Sequence, residues 1–156
     1  MAMHFLGNTI DIHGGGADLT FPHHESEIAQ AEGATGEKPF VRYWVHTAMV
    51  RHEGEKMSKS LGNLVMMRDL LEDWSSDALR LYMARHHYRD AWSHSVQELQ
   101  EADELAQKLK IALAVQGGNL DAGDGQRELD DFLTAMEDDL DTPTAIAHLE
   151  TLADYV

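Results

Sequence analysis

Three consecutive glycines, Gly14-Gly15-Gly16, follow an alternating apolar and polar stretch, Asn8 to His13, and restrict what the first third of the chain can form. The alternation reads as a short strand over residues 8–13, and the glycines as a loop at its carboxyl end that needs freedom at φ > 0. Phe21-Pro22-His23 then sets proline in a first helical turn, where its missing N–H is not needed. Glu25, Glu27 and Glu32 carry that helix to about residue 32, with Gly33 and Gly36 as stops. Residues 40–50 are rich in β-branched and aromatic types and read as a second, largely buried strand, with 51–56 as its turn. Strand, helix and strand in that order make an α/β unit.

Behind it the composition shifts to Leu, Ala, Glu and Asp at helical spacing. The pattern predicts helices at about 67–74, 76–87, 95–115, 126–138 and 143–155, the last opened by Thr142-Pro143. Gly117 to Gly125 reads as a flexible linker. No internal repeat is visible. Trp44, Trp74 and Trp92 and the apolar residues around Leu79, Leu81 and Met83 read as core.

Charge and cysteine content narrow the chemistry. With 156 residues, a net charge of −16 and no cysteine, the chain excludes disulfides, thiolate catalysis and an all-protein thiolate metal site. A metal held by these residues would sit on His, Asp or Glu. Residues 1–97 carry 13 acids against 9 bases and residues 98–156 carry 15 against 3, so the basic chemistry lies in the first two thirds. Such a field opposes nonspecific nucleic-acid binding, which needs clustered Lys and Arg. No apolar run approaches a membrane span and the opening residues lack a secretory leader, so the expected setting is cytoplasmic, without membrane contact.

Three segments could carry chemistry. Lys56-Met57-Ser58-Lys59-Ser60, followed by Leu61-Gly62-Asn63, gathers two ammonium groups and two hydroxyls in five residues, a set suited to charge on transferring phosphoryl oxygens. It is not a Walker loop, and a solvated polar turn would use the same residues. His13-Gly14-Gly15-Gly16-Ala17-Asp18 puts glycines and a carboxylate at a strand's carboxyl end, where doubly wound sheets bind ligands, although a Gly-rich turn alone is also structural. His23 and Glu27 stand four residues apart, so on a helix they share a face and could share a metal ion; glutamates of a first turn equally need no ligand. Arg80, Arg85 and Arg89, with His86 and His87, could meet phosphates or balance neighbouring acids.

Taken in order, GGGADLTFPHHESEIAQAE, YWVHTAMV, EKMSKSLGN and DALRLYMARHHYR resemble the cysteinyl-tRNA synthetases, class I aminoacyl-tRNA synthetases, through about residue 95. FLTAMEDDLDTPTAIAHLETLAD is similar to the start of that family's helical domain on the anticodon side. The resemblance implies a partial Rossmann-like nucleotide-binding domain followed by an all-α region: 1–63 as the carboxyl-side part of the catalytic domain, 64–116 as a helical stem-contact region, 117–125 as linker, and 126–156 as the start of the anticodon-side domain. The family's amino-terminal half, with its HIGH-type motif and a zinc cysteine, has no counterpart here, and the chain is expected to begin just after a second zinc cysteine.

By the same resemblance, zinc would be held by His23 and Glu27 with two cysteines from outside the chain, and Lys56 and Lys59 would be catalytic. Lys59, Gly15, Asp18 and His13 would serve ATP, used with Mg2+, and Arg80, Arg85 and Arg89 could face the tRNA stem. The implied partners are cysteine, ATP and cysteine tRNA, with the full-length protein monomeric. The implied activity is that of a cysteine–tRNA ligase, incomplete as an isolated chain. A non-catalytic module binding tRNA or protein is the other reading, disfavoured by the intact His23, Glu27, Lys56 and Lys59.

Overall fold

The computed structural model describes residues 2–57, 60–115 and 122–155. Two compact units emerge: 1–49 with 88–92, and 50–87 with 93–156.

The first unit is built on two parallel strands, β1 (Ile10–Gly16) and β2 (Val41–Thr47), paired from Ile10 opposite Val41 to Gly16 opposite Thr47. Parallel neighbours require a crossover, supplied here by helix α2 (Glu25–Thr35). A short helix, α1 (Ala2–Leu6), precedes β1; its five residues are too few to show a helical period in the sequence. Ile10, Ala31, Phe40 and Val41 form the buried centre, with Met3, Ile28 and Trp44 packed against it.

The three glycines differ from expectation. They continue β1 in register with β2 instead of forming a loop, and none has positive φ. What demands glycine is close approach. A Cβ on Gly15 would lie 3.0 Å from both His24 Cε1 and Leu19 Cδ1, and one on Gly16 would lie 2.8 Å from Asp18 Oδ1.

The helix expected from Pro22 also starts later. Residues 17–19 make a 3-10 turn and 20–24 a π turn with Phe21 extended (φ −135, ψ 135), and α2 proper opens at Glu25. Gly33 is carried inside α2, a tolerated interior defect. Gly36 alone ends it, in the left-handed conformation (φ 74), with its N–H returned to Glu32 O at 2.8 Å.

In the second unit, residues expected as a plain turn form a hairpin. β3 (Val50–His52) pairs antiparallel with β4 (Glu55–Lys56) across Glu53 (φ 52) and Gly54 (φ 79), a two-residue turn with both φ positive that matches strand twist. β5 (Trp92–Ser93) lies on the other side of β3. The helices are α3 (Met67–Asp73), α4 (Ser76–Ala84), α5 (Val96–Ala114), α6 (Ala122–Glu137) and α7 (Thr142–Asp154). Ala78, Leu79, Tyr82, Leu99, Ala102, Leu105 and Ala106 bury the α4 and α5 faces, and Ala135, Ala145 and Ile146 those of α6 and α7. Helix α6 begins at Ala122, inside the stretch 117–125 read as linker; residues 117–121 lie outside the described residues. Among the described residues no helix is long and apolar enough to cross a membrane.

Candidate functional site

The first unit concentrates imidazoles around one carboxylate. β1 places His13 opposite Trp44 on β2, their rings edge to face with centroids 4.9 Å apart. The turn into α2 delivers His23 and His24, and the first turn of α2 delivers Glu27. His13 Nε2 lies 2.9 Å from Glu27 Oε2, and His23 Nε2 lies 3.6 Å from Glu27 Oε1. Apart from this ion-pair contact with His13, Glu27 Oε2 is buried and accepts no hydrogen bond. Ligand atoms of His13, His24 and Glu27 all lie within 4.8 Å of one another.

His24 is the buried member, 3% exposed, whereas the His23 side chain is 60% exposed. Nδ1 of His24 sits 2.8 Å from Nε2 of His46, and its ring lies against Trp44 at 4.8 Å between centroids. Trp44 and His46 stack within 2° of parallel, as alternate residues on one face of a strand do. Burial pushes the His24 imidazole below its ordinary pKa, with His13 and His46 adding to that direction and Glu27 opposing it. A neutral imidazole is the form that binds a metal.

The structure brings Glu27 and His23, read together from their spacing, into one unit with His13 and Gly15, which were read apart from them. Sequence spacing did not single out His24, His46 or Trp44 for this place. The signal was present in Trp44-Val45-His46, whose period of two puts both rings on one face. Nothing local, however, tells which face of β2 meets β1's histidine.

The lysine motif belongs to the second unit. Lys56 ends β4, exposed, and its carbonyl accepts from Asn63 Nδ2 at 3.3 Å, tying the two ends of the segment together. Gly62 takes φ 65 in the closing turn. Ser58 and Lys59 lie outside the described residues. Arg80 lies on α4 and Arg85 caps its carboxyl end, five residues on and about 140° round the helix. Arg85 pairs with Glu101 at 3.5 Å, and the Arg89 guanidinium rests over the Tyr88 ring at 5.0 Å in the other unit.

Residues 1–104 match the family model of the tRNA synthetases class I (C) catalytic domain. The chain belongs to that family. Among curated relatives of this class I synthetase chain, the cysteine–tRNA ligase of Polaromonas naphthalenivorans is 46% identical over 157 residues, covering 100% of the chain and 34% of the relative. The cysteine–tRNA ligase of Syntrophotalea carbinolica is 45% identical, over 96% of the chain and 32% of the relative. The chain therefore spans about a third of the length of these relatives. Two solved class I synthetases share the fold. One is LeuRS of Agrobacterium radiobacter in a ternary complex with tRNA and LeuAMS (TM-score 0.71, 15% identity, 92% of this chain and 22% of that one). The other is methionyl-tRNA synthetase of Mycobacterium tuberculosis with methionyl-adenylate (TM-score 0.63, 21% identity, 93% and 32%). The mixed α/β fold with a helical remainder is thus that of a class I synthetase.

Proposed function

We propose that this chain is the lysine-motif portion of a cysteine–tRNA ligase, which activates cysteine with ATP and transfers it to cysteine tRNA in the cytoplasm. The observation that carries the reading is identity of 45–46% with ligases of that name along essentially the whole chain. The parent protein acts as a monomer, and 1–63, 64–116 and 126–156 serve as catalytic, stem-contact and anticodon-side parts, with 117–125 as linker.

The side chains fit a zinc ion. Glu27 offers a buried Oε2 without a hydrogen bond, and imidazole with carboxylate is a zinc donor set. His23 and Glu27 would hold it together with two cysteines that these 156 residues do not contain. Bound zinc would favour the soft sulfur of cysteine over a serine hydroxyl. His24, kept neutral by burial and held by His46, walls the site beside Trp44 and His13.

Activation joins the cysteine carboxylate to the α-phosphorus of ATP and releases pyrophosphate. A hydroxyl of the terminal adenosine of the tRNA then takes the cysteinyl group and releases AMP. Lys56 and Lys59 supply positive charge for the α-phosphate and departing pyrophosphate, alongside Mg2+, with Lys59 on ATP itself. Gly15, Asp18 and His13 line the nucleotide side, Gly15 by letting backbone approach closely. Arg80, Arg85 and Arg89 are the residues available to the tRNA stem.

The test is ATP–pyrophosphate exchange with cysteine and zinc. The isolated chain is expected to give none. Joined to the preceding portion of the Polaromonas naphthalenivorans ligase, it is expected to exchange with cysteine but not serine, and to lose exchange in Glu27→Gln and Lys59→Ala. A joined, folded protein indifferent to both substitutions refutes the assignment.

A further inference from the structure

Glu27 offers its two carboxylate oxygens to different imidazoles. Oε1 lies 3.6 Å from Nε2 of His23, the residue that would share zinc with two cysteines, whereas Oε2 lies 2.9 Å from Nε2 of His13. Around Glu27 the chain also assembles three donors without any cysteine. Ligand atoms of His13, His24 and Glu27 all fall within 4.8 Å of one another. β1, the π turn and the first turn of α2 contribute one residue each, so the crossover that builds the first unit also gathers this set.

Three features distinguish the set from a chance meeting of polar side chains. Oε2 is buried and accepts no hydrogen bond beyond its ion-pair contact with His13, which leaves a desolvated oxygen with acceptor capacity to spare. His24 has its Nδ1 engaged 2.8 Å from His46 Nε2, so Nε2 is its ligand atom. With a cation on Nε2, the hydrogen of the neutral His24 ring sits on Nδ1 and is donated to His46, the kind of outer partner that orients a metal-bound imidazole. Gly15 keeps the approach open, since a Cβ there would lie 3.3 Å from His24 Nε2 and 3.0 Å from Cε1.

We propose that His13, His24 and Glu27 form a divalent-metal site of their own, one that takes Zn2+ in the chain without cysteine. Two imidazoles and a carboxylate are a zinc donor set that leaves a fourth position open. A tetrahedral zinc with bonds of about 2.0–2.1 Å holds its ligand atoms about 3.4 Å apart. The pair His13 Nε2 and Glu27 Oε2 is already inside that distance. Rotation of the His13 ring and the Glu27 carboxylate, both partly exposed, closes the rest of the set around His24, which is fixed by burial against Trp44. His23 takes no part: its side chain is 60% exposed and stands nearest the other oxygen of Glu27. The site rests on side chains of this chain alone and stands or falls apart from the ligase reading.

Titration of the 156-residue chain with Zn2+, followed by calorimetry and by long-range 1H–15N spectra of the histidine rings, tests the site directly. At about pH 7.5, where free imidazoles are neutral, saturable binding is expected, with the ring nitrogens of His13 and His24 shifting and those of His23 staying in place. His13→Gln, at a partly exposed position that spares the buried centre, is expected to weaken binding by at least about tenfold, and His23→Gln by less than about twofold. Absence of saturable binding by the folded chain overturns the site. So does a loss in His23→Gln as large as that in His13→Gln, or a shift at His23 in place of His24. Either of these would put the ion on the Oε1 side of Glu27, and neither would touch the ligase reading, which cysteine-dependent exchange tests separately.

Discussion

A methyl group at Gly15 would meet His24 Cε1 and Leu19 Cδ1 at 3.0 Å each, and His24 has little room to yield, being buried between Trp44 and the His46 nitrogen. Gly15→Ala is therefore expected to cost about 1–3 kcal/mol, read as a lower urea midpoint at unchanged slope. If stability is unchanged, the close packing of β1 on His24 is wrong. Glu27 carries a different load, since its buried Oε2 accepts no hydrogen bond in the protein. On the joined protein, Glu27→Gln should weaken zinc binding by at least about tenfold while the fold persists, checked by titration with the metal followed calorimetrically. The spacing of His23 and Glu27 is visible in the string of letters. That His24 is the buried neighbour and His23 the exposed one is decided by Trp44 and His46 of β2, against which the His24 ring packs.

At the scale of elements, α4, α5 and α7 owe their starts to side-chain caps from Ser75, Ser95 and Asp141 and their positions to small buried faces. Ser75 accepts from the Ala78 N–H at 3.1 Å and opens α4, so Ser75→Ala should lower stability by about 1 kcal/mol in chemical denaturation. Leu99 has no exposed surface and sits on α5 opposite the α4 face of Ala78, Leu79 and Tyr82. Leu99→Ala is expected to cost about 2–5 kcal/mol by the same measurement, and a loss under 1 kcal/mol would mean that α4 and α5 do not share a packed seam. Helical periodicity located α4, α5 and α7 to within a few residues, because alternating burial along a helix is written locally. It did not resolve the hairpin at 50–56, whose strands are three and two residues long and exist by pairing. Nor did it show that Gly14 to Gly16 remain in a strand, since β2, some 30 residues later, is what holds them there.

For the molecule as a whole, acidity and buried imidazoles set the response to solution conditions. Burial holds His86 and His94 below their ordinary pKa, so the unfolded chain binds more protons than the folded one as pH falls below about 6.5. The stability they contribute is full above that value and is lost as pH drops toward their folded-state values. Asp141 acts in the same direction: the hydrogen bonds from Thr144 hold its carboxyl below the usual range, and protonation in acid removes that cap. The urea midpoint should therefore be lower at about pH 5.5 than at about pH 7.5, and a rise would reverse the sign of the argument. The net charge of −16, with residues 98–156 holding 15 acids and 3 bases, adds self-repulsion that salt screens. Raising NaCl from about 0.05 M to about 0.5 M should raise the melting temperature.

By itself the sequence determined the order of β1, α2, β2 and the longer helices behind them, the lysine motif and the pairing of His23 with Glu27, because each is encoded within a few residues by period, cap or spacing. Tertiary structure alone decided that the glycines serve close packing, that His24, His46 and Trp44 surround the carboxylate, and that Tyr82, His94 and Ser95 meet. His24 and His46 are 22 residues apart along the chain, and Tyr82 and His94 are 12. Contacts across such distances depend on which strand pairs with which and how each helix rolls, and no local pattern carries that information.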